Sequence, residues 1–466
     1  MTKEIQTTWA SKILFFLLCA MLIFTTAAYG AVHQPIIAIF YLSAVTVGLL
    51  WAFDAFSSGV LRFNKSLLQI PLIGAFLYGI LQIIPFGSLA ETAGIAGIPR
   101  TISLDPFATQ VSALHFLAFS IFLAAFLTYI DSANRLKKIV YVITIFGFVF
   151  AFFAILQAVL SPNKIYGIYE AKFATPFGSF VNRHNFAAYM EMTLALPLGL
   201  MFVGAVGRDK RLIYVTAIGL MGIALLLSGS RGGFVSLLAE IIFLVILTTK
   251  TKSSGQMAVK IGFAVLLMAV IVFGAIIIGG ESSLTRFAET AASKDFSTNR
   301  THIWSVTWSV IKSTLPFGAG LGAFGVAYTP YDSLSGVERV EQAHNDYLQV
   351  LADAGIVGLL LGAFFIYLLF KTGLRNAQTS NKFRRGVVVG ALAGCFAILV
   401  HSLFDFVLHI TAVAMLFITL VSLVVAGGNE SVDDNDDAQQ IRHKKRRSAS
   451  VTAIEEKRKK STNDDI

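Results

Sequence analysis

The chain has 466 residues, of which 56% are hydrophobic and only 14% charged, and its mean hydropathy is +0.72. These proportions exclude an ordinary soluble globular domain and predict an integral membrane protein. The formal net charge of +10 does not indicate nucleic-acid binding, because the positive residues lie in short loops and in a C-terminal tail, where anionic membrane lipids are the better partners. Cys19 and Cys395 lie within apolar runs, so neither a disulfide framework nor a cysteine-based metal site is expected.

Window hydropathy predicts an all-α polytopic membrane protein with about twelve transmembrane helices, since a spanning helix needs about 20 apolar residues. The first apolar run is longer than the core of a signal peptide, so it is counted as a helix. Nine helices are predicted within 1–279, a partly helical loop over 280–348, three helices within 349–427, and a disordered charged tail over 428–466. The predicted spans are 13–31, 35–53, 67–86, 111–130, 138–160, 185–206, 212–229, 231–249, 258–279, 349–370, 386–405 and 409–427.

Lysine and arginine concentrate in alternate short loops, which predicts the orientation. These loops lie near residues 62–65, 135–138, 208–211, 250–252 and 371–385. Short loops rich in basic residues stay in the cytoplasm. The loop 280–348 is therefore predicted to be extracytoplasmic, and both termini are predicted to be cytoplasmic.

The predicted outward segment from 161 to 184 is long for a connection in this chain, and it contains several polar residues. It holds Tyr166, Tyr169 and Lys172 and continues into a run from Thr175 to Tyr189. An asparagine in that run is suited to cap the next helix, and a helix start directs backbone N–H groups toward an anion. The segment is therefore a candidate for binding an anionic group.

The loop 280–348 also contains recognisable elements. Trp304, Trp308 and Ile311 have the spacing of one face of an amphipathic helix, which is expected to lie on the membrane surface and to stop before Pro316. A glycine-rich run then extends to Phe324, and its glycines would let backbone approach a ligand closely. It does not predict a nucleotide site, because no strand precedes it and no Walker lysine follows.

Three motifs resemble those of the O-antigen ligase and O-antigen polymerase superfamily of bacterial envelope glycosyltransferases. They are Leu227-Ser-Gly-Ser-Arg-Gly-Gly-Phe234, Asn299-Arg-Thr-His-Ile-Trp304 with the glycine-rich run, and Ala343-His-Asn-Asp-Tyr-Leu-Gln349 with Gly355 and Gly358. The resemblance covers roughly 160 to 427. The first four predicted spans match only in hydropathy.

The resemblance implies transfer of a glycan from a polyprenyl (undecaprenyl) diphosphate carrier at the outer face of the bacterial cytoplasmic (inner) membrane. No metal, nucleotide sugar or other cofactor is implied, and the transfer is expected to invert the anomeric centre. The acceptor differs by branch: the lipid A core in lipopolysaccharide ligases, another repeat unit in polymerases, and protein in a third branch. The run 175–189 is similar to a segment of the polymerase-like branch, and by analogy it favours polymerase or exopolysaccharide synthesis.

The resemblance also assigns site residues. The family's motif histidine, matched by His344, activates the acceptor hydroxyl, a role that suits imidazole; the alternative is a helix cap. Arg231, which interrupts an apolar run, and Arg300 are expected to bind the diphosphate and stabilise the leaving group, whereas the alternative is an arginine extended toward lipid headgroups. The predicted catalytic residues are His344, Arg231 and Arg300, and the predicted substrate-binding residues are Asn182, Arg183, Lys172, Asn345 and Tyr347. For Arg183 and Lys172 the alternative is a solvated basic side chain.

Four-residue spacing of His401, Asp405 and His409 would place them on one face of a continuous helix and would favour a metal site. A turn between the last two spans is expected near residues 406–408, however, and a polar brace at the membrane face is the preferred interpretation. Glu191 and Glu240 are predicted to be structural partners rather than acids or bases.

Two other function classes fit part of the sequence. A transporter or flippase of a lipid-linked oligosaccharide would suit twelve helices, but it should place binding residues near the bilayer midplane and show two related halves. The unusual residues lie instead toward one predicted face. A structural membrane component that recruits other envelope enzymes would use the long loop for docking.

Overall fold

The computed structural model describes residues 8–89, 94–172, 174–249, 254–292, 300–333 and 339–429. The helices in this part of the chain are α1 (Trp9–Ala27), α2 (Gln34–Ser58), α3 (Ile70–Ile83), α4 (Pro106–Tyr129), α5 (Ala133–Leu160), α6 (Arg183–Val203), α7 (Arg211–Leu227), α8 (Arg231–Thr248), α9 (Ser254–Ala292), α10 (Arg300–Thr314), α11 (Phe324–Tyr328), α12 (Asp346–Asn376), α13 (Lys382–His401) and α14 (Thr411–Ala426). The strands β1 (Lys164–Ile165) and β2 (Tyr169–Glu170) form a short antiparallel hairpin.

The predicted all-α polytopic fold is confirmed. Ten helices of the described chain are long and apolar enough to cross a membrane, and two further apolar segments, Leu67–Ile83 and Thr411–Ala426, are shorter. Together these twelve segments match the twelve predicted runs in position. Most of the tail predicted to be disordered, from 430 onward, lies outside the described residues.

Helices α6, α8 and α12 begin at the same end of the bundle, here called the loop end. A side chain caps the first turn of each helix. Asn182 Oδ1 accepts a hydrogen bond from the backbone N–H of His184 at 2.9 Å, as predicted for α6. Ser230 Oγ accepts from Gly233 at 3.2 Å in α8. Asn345 caps α12 in the same way. The first N–H groups of α6, α8 and α12 therefore lie at the loop end.

Glycines bring α6 and α13 into direct backbone contact at the centre of the bundle. Gly199 of α6 faces Gly390 of α13, and a Cβ atom on Gly390 would lie 2.5 Å from the carbonyl oxygen of Ala195. Small residues at four-residue spacing allow membrane helices to approach in this way, and Gly386 and Gly394 extend the stripe in α13. The contact fixes the relative position of the two helices below the loop end.

The described basic loops that were predicted to be cytoplasmic lie at the opposite end of the bundle, while the loop at 250–252 lies outside the described residues. There, Asp131 accepts from Arg62 Nη1 at 3.4 Å and from Arg135 Nη1 at 3.3 Å. These contacts join the α2–α3 connection to the start of α5. Which end faces the cytoplasm stays a prediction from the distribution of basic residues.

The segment predicted as a long loop contains a small hydrophobic core of its own. Helix α9 continues past the predicted limit of 279 to Ala292, and α10 then packs against α11 and the start of α12. Trp308 of α10 is 47% exposed, whereas Val306 and Val310 are buried. Helix α10 thus packs a valine face on this local core, and the predicted position of its tryptophans at the membrane surface stays a prediction.

The glycine-rich turn after α10 docks on a kink in α12. The N–H groups of Ala319 and Gly320 donate to the carbonyl oxygens of Ala352 and Asp353 at 2.8 and 2.9 Å. Gly355 has φ +57° and interrupts the regular helix at this point. A Cβ atom on Gly318 would lie 2.5 Å from the backbone of Asp353 in α12, whereas one on Gly320 or Gly322 would meet the side chain of Ser103 or Ser112. The close neighbours of these glycines in the described structure are therefore groups of the protein itself.

Candidate active site

A buried carboxylate organises the polar side chains at the loop end. Asp405 is 2% exposed and lies in the connection between α13 and α14. Its Oδ2 accepts a hydrogen bond from Arg300 Nη2 at 3.1 Å, and its Oδ1 lies 3.1 Å from His344 Nδ1. His184 Nδ1 lies 3.8 Å from Oδ2 and 2.9 Å from Ser230 Oγ. We call these five residues the Asp405 cluster.

Asp405 is ionised at neutral pH. Burial opposes the charge, but the hydrogen bond from His344 and the nearby His184 and Arg300 outweigh it and hold the pKa of the Asp405 carboxyl well below its ordinary value. An anionic Asp405 requires His344 Nδ1 to carry a proton, which leaves Nε2 as the acceptor nitrogen of the neutral ring. Within the described residues, Nε2 makes no hydrogen bond, and the side chain is 32% exposed.

The backbone before α12 holds His344 in an uncommon conformation. His344 has φ +49°, in the left-handed region that non-glycine residues rarely occupy. The preceding Ala343 is fixed on both sides: its N–H donates to Gln349 Oε1 at 2.7 Å, and its carbonyl accepts from Trp304 Nε1 at 3.0 Å. Because Asn345 caps the helix, the alternative role of His344 as the cap is wrong.

Other polar residues of the same motif bind the last turn of α13 and the α13–α14 connection. Asn345 Nδ2 donates to the carbonyl of Leu403 at 2.9 Å, and Tyr347 donates its hydroxyl hydrogen to the carbonyl of Leu399 at 2.7 Å. Asp346 accepts from Ser402 Oγ at 2.8 Å. Asn345 and Tyr347 thus have packing roles, and substrate binding by either residue stays a prediction.

Three arginines lie within or beside the Asp405 cluster. Arg300 belongs to it, and Arg231 is the first residue of α8, directly after Ser230. Arg183 begins α6, and its Nη1 would lie 3.4 Å from a Cβ atom on Gly229, so the guanidinium group rests against the turn before α8. Arg183 and Arg231 are half-buried, and both have interaction partners within the protein. Three guanidinium groups and the starts of α6 and α8 make this region suited to an anion.

Two predicted substrate-binding residues, Asn182 and Lys172, lie outside the Asp405 cluster. Asn182 uses its side-chain oxygen to cap α6. Lys172 is exposed, follows the β-hairpin and, within the described part of the chain, makes no hydrogen bond or ion pair. The geometry does not join Lys172 to the Asp405 cluster.

A protein-family model described as O-antigen ligase matches residues 216–363. The matched segment contains Arg231, Arg300 and His344, while Arg183 and Asp405 lie outside it. The predicted resemblance to the O-antigen ligase and polymerase superfamily is confirmed over this segment. No curated protein matches the chain significantly. The O-antigen ligase match and the apolar helices together indicate a multi-pass membrane enzyme that transfers glycans in a ligase-like or polymerase-like way.

The O-antigen ligase resemblance did not assign three residues of the Asp405 cluster: Asp405 itself, His184 and Ser230. His184 stands inside the run 175–189 and Ser230 inside the motif from 227 to 234, so both lay in segments already singled out. Their relation to Asp405 depends on the packing of α6, α8 and α13, which no local pattern reveals.

The four-residue spacing does not place His401, Asp405 and His409 on one helix face. Helix α13 ends at His401, and the predicted turn is confirmed as a short 3-10 helix at Val407–His409. His401 pairs with Glu191 and His409 with Asp346, so the three side chains point to different partners. Among the residues that the structure describes, no group of three or more His, Cys, Asp or Glu side chains is placed to hold a metal ion.

Proposed function

We propose that this protein transfers a glycan from a polyprenyl diphosphate carrier to an acceptor hydroxyl at the extracytoplasmic face of the bacterial cytoplasmic membrane. The observation that carries the proposal is the sharing of one buried carboxylate. Asp405 contacts Arg300 Nη2 and His344 Nδ1, each at 3.1 Å. A base for the acceptor and a cation for the diphosphate are thereby held side by side.

His344 serves as the general base in this reaction. Its Nε2 accepts the proton of the acceptor hydroxyl as the oxygen attacks the anomeric carbon of the donor sugar. Asp405 keeps the ring in the required tautomer and stabilises the imidazolium that forms. The exposed position of the ring, with Nε2 free of partners in the described structure, supports this role.

The guanidinium groups of Arg183, Arg231 and Arg300 bind the diphosphate. As the bond between the anomeric carbon and the phosphate oxygen breaks, negative charge grows on the leaving carrier, and these cations stabilise it. They supply the positive charge that a metal ion supplies in other glycosyltransferases, so the reaction proceeds without one. Attack from the side opposite the diphosphate inverts the anomeric centre.

The acceptor decides between ligase and polymerase. A lipid A core would make the protein a lipopolysaccharide ligase, and a second repeat unit would make it a polymerase of O-antigen or exopolysaccharide. The run 175–189, which contributes Arg183 and His184 to this region, favours a polymerase by its similarity to the polymerase-like branch.

Reconstituted transfer tests the proposal. Purified protein in proteoliposomes receives a polyprenyl-diphosphate-linked repeat unit as donor and either lipid A core or a second repeat unit as acceptor, with EDTA throughout. We expect a longer glycan and an equal amount of released polyprenyl diphosphate with one acceptor. Movement of the intact donor across the bilayer without glycan transfer would support a flippase instead.

A further inference from the structure

We propose that Glu191 and His401, which are buried inside the bundle beneath the Asp405 cluster, position Asp405 and the start of α8 for glycan transfer. This inference rests on the proposed function and extends it to residues outside the reacting groups. Both residues belong to membrane-spanning helices, α6 and α13 respectively. Neither would touch the substrate.

The Glu191–His401 pair is isolated from water. The side chains of Glu191 and His401 are 0% and 1% exposed, and His401 Nδ1 lies 3.0 Å from Glu191 Oε2. Ionisable groups inside a membrane protein are costly unless they are paired, and removal of one partner leaves the other uncompensated. The close glycine-mediated contact of α6 with α13 brings the two side chains together. The pair therefore fixes the orientation of the His401 ring.

His401 contacts two parts of the candidate site, one through its backbone and one through its ring. Its carbonyl oxygen accepts the N–H groups of Phe404 at 2.8 Å and Asp405 at 3.1 Å, so the turn that carries Asp405 is built directly on His401. On the other side, a Cβ atom on Gly232 would lie 2.8 Å from the His401 ring. Gly232 follows Arg231 in α8. His401 thus contacts the turn bearing the carboxylate through its backbone carbonyl, and it contacts the helix start bearing a diphosphate-binding arginine through its ring.

Glu191 has a positioning role and not a catalytic one. Glu191 is eight residues beyond Arg183 in α6, which is about 12 Å along the axis at roughly 1.5 Å per residue. Glu191 therefore acts through His401 on Asp405, and Asp405 acts on His344. Small displacements of reacting groups have large kinetic effects, because a misplacement of about 1 Å can cost about 10²-fold in rate.

The test compares Glu191→Ala and Glu191→Gln with the same two substitutions at Glu240. Glu240 is a suitable control because it is also fully buried, lies in α8, and its carboxylate oxygens bond to no side chain or backbone group in the described part of the chain. We expect Glu191→Ala to lower kcat by about 10²-fold. Glu191→Gln should restore most of the rate, because an amide oxygen can still accept the His401 Nδ1 hydrogen.

The effect should fall mainly on kcat. His344 is aligned through Asp405, whereas donor binding is shared among three guanidinium groups, so KM for the lipid-linked donor should change less than kcat. The Glu240 variants should transfer at the wild-type rate. Rates are compared at equal amounts of monodisperse protein of known thermal stability.

Two results would overturn the positioning role. One is wild-type turnover by folded Glu191→Ala. The other is a parallel loss of stability and activity in the Ala variants of both glutamates without rescue by Gln, which would mean that Glu191 only supports the fold. Absence of transfer by the wild-type protein is a separate result, which would overturn the proposed function and this inference together.

Discussion

Replacing Asp405 with asparagine removes the charge at the centre of the Asp405 cluster and nearly preserves the side-chain shape. The carboxylate is 2% exposed and contacts Arg300 and His344, each at 3.1 Å. Asparagine cannot neutralise the guanidinium group. Its amide can also turn an N–H toward His344, which would favour the tautomer that cannot accept the acceptor's proton at Nε2.

The expected magnitude follows from these two contacts. A hydrogen bond to a charged group contributes about 1.5–3 kcal/mol, and Asp405→Asn weakens two of them without removing either completely. A loss of about 2–4 kcal/mol in transition-state stabilisation corresponds to a fall of about 30- to 900-fold in kcat/KM, at about 1.36 kcal/mol per factor of ten. We therefore expect strongly reduced but measurable transfer.

The assay is transfer from the polyprenyl-diphosphate-linked donor at saturating acceptor, with Asp332→Asn as the matched control. Asp332 is also buried, and its Oδ1 lies 2.8 Å from His302 Nε2, so the same change breaks an equivalent pair within the loop. The control should retain transfer because this pair is not part of the Asp405 cluster. Equal losses in both variants, or no loss in Asp405→Asn, would refute the reasoning.

Three further predictions concern packing, pH and orientation. Gly390→Ala places a Cβ atom 2.5 Å from a backbone carbonyl of α6 and should destabilise the protein by about 1–3 kcal/mol in thermal unfolding. Gly362→Ala is the control, because a Cβ atom there would have no neighbour within 4 Å. Equal melting temperatures of the two variants would contradict this packing. Burial opposes protonation of His409, but the hydrogen bond and charge of Asp346 outweigh it and raise the pKa of His409. The stabilisation by the His409–Asp346 pair is full below about pH 6.5 and is lost as the pH rises through the raised pKa. The difference in melting temperature between wild type and His409→Gln should therefore shrink with rising pH. A constant difference would argue against this pair. Lys172→Cys should react with a membrane-impermeant thiol reagent added outside intact cells, and labelling only after the cytoplasmic side is opened would reverse the predicted orientation.

The helices were predictable because each apolar run is long and bounded by polar residues. Hydropathy located even α14, which is only 16 residues long and almost wholly buried. The face of α10 that packs on the protein was not predictable in the same way. Trp308 has helical spacing with Trp304 and Ile311, but the core beneath α10 is made by α11 and α12, and a local pattern does not include these partners.

The site was predictable residue by residue but not as a cluster. His344 and Arg300 stood out in separate motifs, whereas Asp405 lies 61 and 105 positions away from them along the chain. Its four-residue spacing from His401 suggested a common helix face, but α13 ends at His401 and the turn redirects Asp405. The meeting of these groups depends on the contact between α6 and α13 and on the docking of α10 against α12.

The central claim is that His344 activates the acceptor while the guanidinium groups hold the diphosphate. Donor binding and release of polyprenyl diphosphate, measured on the same preparations of wild type and His344→Ala in the presence of EDTA, test it most directly. The account predicts that His344→Ala binds the lipid-linked donor with nearly wild-type affinity and releases almost no carrier when acceptor is added. Carrier release by His344→Ala at the wild-type rate would contradict it.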